Sequence, residues 1–290
     1  MAHILVTGAN GQLGNEFRRL AAVCPDHVFL FTDVQELDIC DREAVIEFLK
    51  NNPVGYVVNC AAYTAVEKAE DEPDRCYRIN RDAVGNLAEA ARKTGSGIIH
   101  ISTDYVYSGE NFQPYIETDP TAPRSVYGSS KLEGERVLFE NCPQASVIRT
   151  SWLYSGYGSN FVKTMIRLGQ EKEKLNVVFD QIGSPTYAAD LAGTILQMIG
   201  QYPDPAKLPA GIYNYSDEGV CSWYDFAKAI HRLAGITGCR IEPVVSAEYP
   251  ARVTRPFYSV MNKTKIRRTF AVGIPYWEES LQRCVAQLMK

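Results

Sequence analysis

Over the first 150 residues, short apolar runs alternate with stretches of helical spacing. The runs fall at 3–7 (His-Ile-Leu-Val-Thr), 28–32 (Val-Phe-Leu-Phe-Thr), 55–60, 97–102 and 145–149. Continuous apolar runs of this length suit strands buried on both faces. Between them, 41–50 gathers Val45, Phe48 and Leu49 on one face, and 73–94 gathers Cys76, Ile79, Ala83, Leu87 and Ala90. Asp41 and Pro73 are suitable helix openers, and Gly95 is a suitable stop. Strand-helix alternation of this kind predicts an α/β fold. The sheet is doubly wound and mostly parallel, of the Rossmann type, with right-handed crossovers.

Past residue 150 the rhythm loosens. Helical patterns recur near 160–170, 188–199, 222–234 and 275–288, separated by polar or Pro-rich loops. Val177-Val178-Phe179 predicts a strand extending the main sheet. Gly211-Ile212-Tyr213-Asn214 and Ile241-Glu242-Pro243-Val244 predict strands of a smaller region. No low-complexity linker interrupts the chain, so a tethered module is not expected. The expected division is a core at 1–150, with 175–200 returning to it, and a smaller interwoven α/β substrate-binding region over most of 151–290.

Composition narrows the classes. A chain of 290 residues with 46% hydrophobic and 22% charged positions can bury a sizeable core. A net charge of −4 and the lack of any Lys/Arg run argue against nucleic acid as a partner. No apolar stretch nears the roughly 20 residues that span a bilayer. The chain enters a strand at its start without a signal-peptide pattern, and its eight scattered cysteines include no Cys-x-x-Cys. Reduced thiols in a cytoplasmic protein are expected, with no metal site.

The chemistry concentrates at two places. Gly8-x-x-Gly11-x-x-Gly14 follows the first strand and opens a helix, the setting in which backbone N–H groups meet a dinucleotide pyrophosphate. Asp33, 19 residues past Gly14, stands where a carboxylate takes the adenosine ribose hydroxyls and repels a 2′-phosphate. Arg18 and Arg19 are near enough to temper that repulsion. Asp38 and Ile39 suit the adenine, while Ala61, Ala62, Tyr63 and Thr64 offer mostly small residues where a cofactor passes. The second place is Tyr127-Gly-Ser-Ser-Lys131, downstream of Ser102-Thr103-Asp104. Lys131 shares a helix face with Tyr127, and its charge is expected to lower the phenol's pKa. Thr103 can orient a substrate carbonyl, and Asp104 a neighbouring sugar hydroxyl. A second Tyr-x-x-x-Lys, Tyr224 to Lys228, reads as structural. Ser222 caps that helix, and Phe226, Ile230 and Leu233 form its buried stripe.

At these residues the chain resembles the extended short-chain dehydrogenase/reductases, and within them the dTDP-4-dehydrorhamnose reductase family. The likeness rests on residues 8–14, Leu-Asp-Ile at 37–39, 59–70, Ser-Thr-Asp-Tyr-Val-Tyr at 102–107, 127–135, Arg-Thr-Ser-Trp-Leu-Tyr at 149–154, 160–162 and 180–186. It implies NADPH- or NADH-dependent reduction of the 4-keto group of a dTDP-linked 6-deoxyhexose, a step of deoxysugar nucleotide and polysaccharide biosynthesis. The implied catalytic set is Thr103, Tyr127 and Lys131. Cofactor contacts map to Gly8, Asn10, Gly11, Gln12, Leu13, Gly14, Asp33, Asp38, Ile39, Ala61, Ala62, Tyr63 and Thr64, besides Tyr127 and Lys131. Thr103, Asp104, Val66 and Trp152 match the sugar-nucleotide site, with Asn160, Phe161 and Arg255 toward the nucleotide. Glu67 stands where the family pattern has Asp, and Phe257-Tyr258 separate Arg255-Pro256 from Ser259. The resemblance also admits a homodimer and a Mg²⁺ ion, for which no carboxylate cluster is visible in the sequence.

Two other readings fit parts of the chain. A sugar-nucleotide epimerase or dehydratase shares the scaffold, but dehydratase relatives carry Asp-Glu after the Thr, where this chain has Asp104-Tyr105. A non-catalytic subunit resembling the regulatory beta subunit of methionine adenosyltransferase is the other. The complete Thr/Tyr/Lys set gives no reason to prefer it.

Overall fold

Six strands of the computed structural model, which describes residues 2–249 and 252–290, make one parallel sheet. They are β1 (Ala2–Thr7), β2 (His27–Thr32), β3 (Tyr56–Asn59), β4 (Gly97–Thr103), β5 (Ser146–Thr150) and the strand Gly211–Tyr215. Their order across the sheet is Gly211–Tyr215, β5, β4, β3, β1, β2. The order reverses direction at β1 and β3, which opens a crevice beyond their carboxyl ends.

Alternation along β1 divides the core. Ile4 and Val6 face one layer with Phe17, Ile99, Ile148 and helix Ala188–Gln201. Leu5 faces the other with Val57, Ile98, Val147 and helices Arg42–Asn51 and Ala83–Thr94. Asp41 caps the first of these helices by accepting from Ala44 N–H, and Gly95 ends the second in the left-handed region at φ 75°. A third apolar cluster joins helices Phe161–Glu171, Trp223–Leu233 and Trp277–Leu288. As expected, Ser222 caps the middle one and Phe226 and Ile230 are buried beneath it, so the second Tyr-x-x-x-Lys belongs to this packing.

Two strand placements differ from expectation. Gly211–Tyr215 is the edge strand of the main sheet, paired with β5 from Gly211↔Ser146 to Tyr215↔Thr150. The apolar run near 177 instead pairs with Arg240–Val244, in a small sheet of its own. Each run was legible as a strand, but partner choice is fixed by tertiary packing, which local sequence does not carry. The expected helix over 73–94 is also interrupted. A π-helical turn at Arg78–Asp82 lets Asn80 point inward, where its amide bonds Tyr63 N–H, Tyr63 O and Ser130 Oγ. All eight cysteines are unpaired. Among the described residues no helix is long and apolar enough to cross a membrane.

Candidate active site

The glycine turn is shaped by close backbone approach. Gly8 sits at φ 61°, and a Cβ there would lie 2.7 Å from Ala61 Cα and N. A Cβ on Gly14 would lie 2.5 Å from Ala9 Cα and Gly8 O. Helix α1 (Gln12–Ala21) starts at Gly11, with no side chain capping it. Its first N–H groups and the positive end of its dipole are thus available to an anion. The turn, the free helix start and the crevice beside it fit a dinucleotide.

Beyond the sheet's carboxyl ends lies a cleft of about 870 Å³. Its walls include Gly8, Gly11, Gln12, Leu13, Gly14, Asp33, Asp38, Ile39, Ala61, Ala62, Thr64 and Val66 on the sheet side. Thr103, Asp104, Tyr127, Lys131, Trp152 and Asn160 complete the set of expected residues in the same cleft. Four others stand outside its walls. Asn10 is exposed and gives its backbone N–H to Asp33 Oδ2 at 3.0 Å. Tyr63 is turned away, its hydroxyl donating to Glu72 at 3.1 Å. Phe161 begins a helix and packs on Trp223, ring centroids 4.6 Å apart. Arg255 lies 3.5 Å from Glu67, exposed to solvent. Residues not anticipated also line the cleft, among them Arg75, Arg78, Cys60, Tyr105, Ser151 and Leu153. Ser151 and Leu153 flank an expected residue, a proximity that could have flagged them; Arg75 enters from helix Pro73–Tyr77 and Arg78 from the π-helical turn after it, which carried no such signal.

Tyr127 is placed by the start of helix Val126–Asn141. Ser125 caps it by accepting from Gly128 N–H at 3.0 Å, and Glu70 accepts from Val126 N–H at 2.8 Å. Gly128 is required, since a Cβ there would lie 2.4 Å from Tyr105 O. Tyr105 meets Tyr127 edge-on at 5.6 Å. Burial pushes the Tyr127 phenol up from its ordinary value, while hydrogen bonding with Thr103 works in the opposite sense. The lowering by Lys131 expected from the sequence is therefore not the dominant effect. Lys131 Nζ donates to Ile101 O at 2.6 Å and lies 3.1 Å from His100 Nε2, so its polar contacts run to the sheet. Burial brings its pKa down to about 8, against the upward pull of Glu135.

Asp104 is buried beside Thr103, whose hydroxyl donates to Oδ1 at 3.1 Å. Its Oδ2 and the nearby Ser259 hydroxyl have no hydrogen-bond partner among the described residues. Burial raises this carboxyl from 3.8 to about 7. The folded protein then binds more protons than the unfolded chain between those values, so the contribution of Asp104 is fully present below 3.8 and is lost as pH rises through about 7. Asp104→Asn is expected to flatten the fall in stability over that window. Urea melts of both proteins at a series of pH values would reject the assignment if their curves ran parallel.

Trp152 closes the far end. It occupies the left-handed region at φ 48°, stacks on Trp223 at 3.6 Å, and lies so close to Gly183 that a Cβ there would come within 2.7 Å of its ring. Asn160 ties this wall to α1, its amide donating to Gln12 Oε1 at 2.9 Å. Among the described residues no group of three or more His, Cys, Asp or Glu could hold a metal ion.

A glycine turn under a parallel sheet, with Thr, Tyr and Lys in one cleft, defines an extended short-chain dehydrogenase/reductase. The family described as RmlD substrate binding domain matches residues 1–290. The dTDP-4-dehydrorhamnose reductase of Sinorhizobium fredii is 40% identical, over 99% of this chain and 97% of its own. The dTDP-4-dehydrorhamnose reductase structure from Clostridium acetobutylicum superposes with a TM-score of 0.93 at 41% identity, covering 99% of this chain and 100% of that one. That of Bacillus anthracis, in complex with NADP, gives 0.92 at 39%, with the same coverage. The chain belongs to the dTDP-4-dehydrorhamnose reductase family.

Proposed function

We propose that this protein reduces the 4-keto group of dTDP-4-dehydro-L-rhamnose to give dTDP-L-rhamnose, with NADPH or NADH as reductant. The observation that carries the reading is the single cleft holding the glycine turn together with Thr103, Tyr127 and Lys131. The glycine turn and Gln12 seat the dinucleotide, which when bound supplies the hydride. Tyr127 gives its phenolic proton to the substrate oxygen as charge builds there. Its raised pKa keeps that proton in place until it is needed. Thr103 hydrogen-bonds the same oxygen and orients it. Lys131 has an N–H beyond the one held by Ile101 O to offer a ribose hydroxyl. Asp104 takes a sugar hydroxyl, and Trp152 walls the substrate in. Burial holds Tyr105 up at about 12, which leaves it unfit as the general base that a dehydratase needs at this position. Incubating the protein with NADPH and dTDP-4-dehydro-L-rhamnose should oxidise the cofactor and yield a dTDP-6-deoxyhexose. Tight cofactor binding without turnover would favour a regulatory subunit instead.

Cofactor choice turns on Asp33. Its Oδ1 accepts from Val34 N–H at 2.8 Å, while its Oδ2 is on Asn10 N–H, which fixes the carboxylate at the cleft wall. That charge opposes a 2′-phosphate, and the cations of Arg75 and Arg78 in the same cleft attract one. Both cofactors should serve. Asp33→Ala is expected to raise the ratio of kcat/KM for NADPH over NADH by about tenfold, or about 1.4 kcal/mol. An unmoved ratio would place the carboxylate away from the adenosine ribose.

A further inference from the structure

The Thr103 hydroxyl has one proton and two lone pairs, and its neighbours compete for them. Tyr105 N–H donates to Oγ1 at 3.2 Å, which fills one lone pair. Asp104 Oδ1 lies 3.1 Å from the same oxygen, and the Tyr127 phenol is within hydrogen-bond reach of it. The proposed reaction adds a further demand. A ketone oxygen has no proton, so Thr103 can hold it only by donating. With Asp104 ionised, the single Thr103 proton is drawn to Oδ1, because a carboxylate is the stronger acceptor. The second Thr103 lone pair can then accept from Tyr127, which turns the phenolic proton away from the substrate.

With Asp104 neutral the demands are all met. Its acid proton, carried on Oδ1, is donated to Thr103 across the same contact. Tyr105 N–H and Asp104 O–H then fill both Thr103 lone pairs, so the protons of Thr103 and Tyr127 both turn to the substrate oxygen. Oδ2, which has no partner among the described residues, becomes a carbonyl oxygen open to a sugar hydroxyl. We infer that Asp104 is a positioning residue: as the neutral acid it donates to Thr103 and so releases the Thr103 proton to the ketone. Its surroundings favour that form. Asp104 is 3% exposed, and what opposes its burial is neutral hydroxyl and backbone N–H groups, Thr103 foremost. The titratable groups facing it are the phenols of Tyr105, on the same turn, and Tyr127, on helix Val126–Asn141, and burial keeps both protonated. The cations on this side of the cleft are engaged elsewhere, Lys131 Nζ with Ile101 O and Arg255 with Glu67. Burial raises the Asp104 carboxyl to about 7, so the neutral acid prevails below that pH and is lost above it. The inference rests on the proposed role of Thr103.

The test is the pH profile of kcat with NADPH and dTDP-4-dehydro-L-rhamnose. Between about pH 5.5 and about pH 7.5 the parent is expected to lose about fourfold, as the neutral acid titrates away through a midpoint of about 7. Asp104→Asn sets an amide NH₂ against Thr103 at every pH and keeps an oxygen for the sugar, so its kcat should stay level over that window, whatever its absolute value. Thr103→Val should be slower throughout and equally level, because the carboxyl acts through Thr103. A level parent profile, or a fall that persists in either folded variant, overturns the inference. Carboxyl titration by NMR, with aspartate labelled at ¹³Cγ and Asp104 identified by its loss in Asp104→Asn, reads the same proton without turnover. A midpoint near 7 is expected, and one below about 5 overturns the inference. A midpoint near 7 in a protein that fails to reduce the substrate would count against the proposed activity, and one below about 5 in an active protein against the role of Asp104 alone.

Discussion

Tyr127→Phe is expected to lose about 10²–10⁴ in kcat while its dinucleotide affinity stays within a few-fold of the parent. The ring keeps its place because nothing that positions it is the hydroxyl: Ser125 and Glu70 hold the helix start, and Tyr105 packs on the ring edge. What disappears is the phenolic proton, held on the ring by burial, that the proposed reaction delivers to the substrate oxygen. In the proposed site affinity rests instead on the glycine turn and the free start of α1, which the substitution does not touch. Steady-state rates with fluorescence titration of NADPH separate the two quantities. A rate within tenfold of the parent would remove Tyr127 from the proton transfer, and a matching fall in affinity would mark it as a structural residue.

The second large effect is on stability. Arg149 on β5 and Glu135 on the Tyr127 helix form a two-pronged ion pair, 3.0 and 2.6 Å, buried to 3% side-chain exposure on both sides. Arg149 also donates to Tyr107 O–H at 2.9 Å, and Tyr107 O–H reaches Asn214 on the edge strand at 3.3 Å. Arg149→Met strands the Glu135 carboxylate in the interior and should cost about 3–5 kcal/mol. Adding Glu135→Leu removes the orphaned charge, so the double variant should recover part of that loss. Urea unfolding of the three proteins measures both steps. A single variant within about 1 kcal/mol of the parent would mean that water reaches the pair.

Much of the site was legible because its parts are local. The glycine turn depends on a few consecutive residues between a strand and a helix. Tyr127 and Lys131 are joined by the pitch of one helix, whatever surrounds it. Thr103 was found because it ends a recognisable strand, and the structure places it at the end of β4. Other features depend on distant partners. Gly211–Tyr215 is short and could edge any sheet; only its pairing with β5 decides. The π-helical turn answers to Asn80 meeting Tyr63 and Ser130, which lie 17 and 50 residues away. The pKa of Tyr127 was misjudged for the same reason. Spacing shows that a lysine is near, but not that desolvation outweighs it at the phenol or that the lysine nitrogen faces His100. Trp152 was identified, yet its left-handed backbone and its stack involve Trp223, 71 positions further along the chain.

The edge position of Gly211–Tyr215 has a bearing on how the chain is made. Synthesis proceeds from the N-terminus, so β1 to β5 emerge well before their last neighbour. Until then β5 has a bare flank, and Ile4, Val6, Ile99 and Ile148 lack the cover of helix Ala188–Gln201. A nascent chain paused near residue 150 would therefore expose an apolar slab and an unsatisfied strand edge, the kind of surface that folding helpers bind. The Rossmann half cannot be harvested by cutting there. Its last structural pieces arrive only after the ribosome has passed Tyr215.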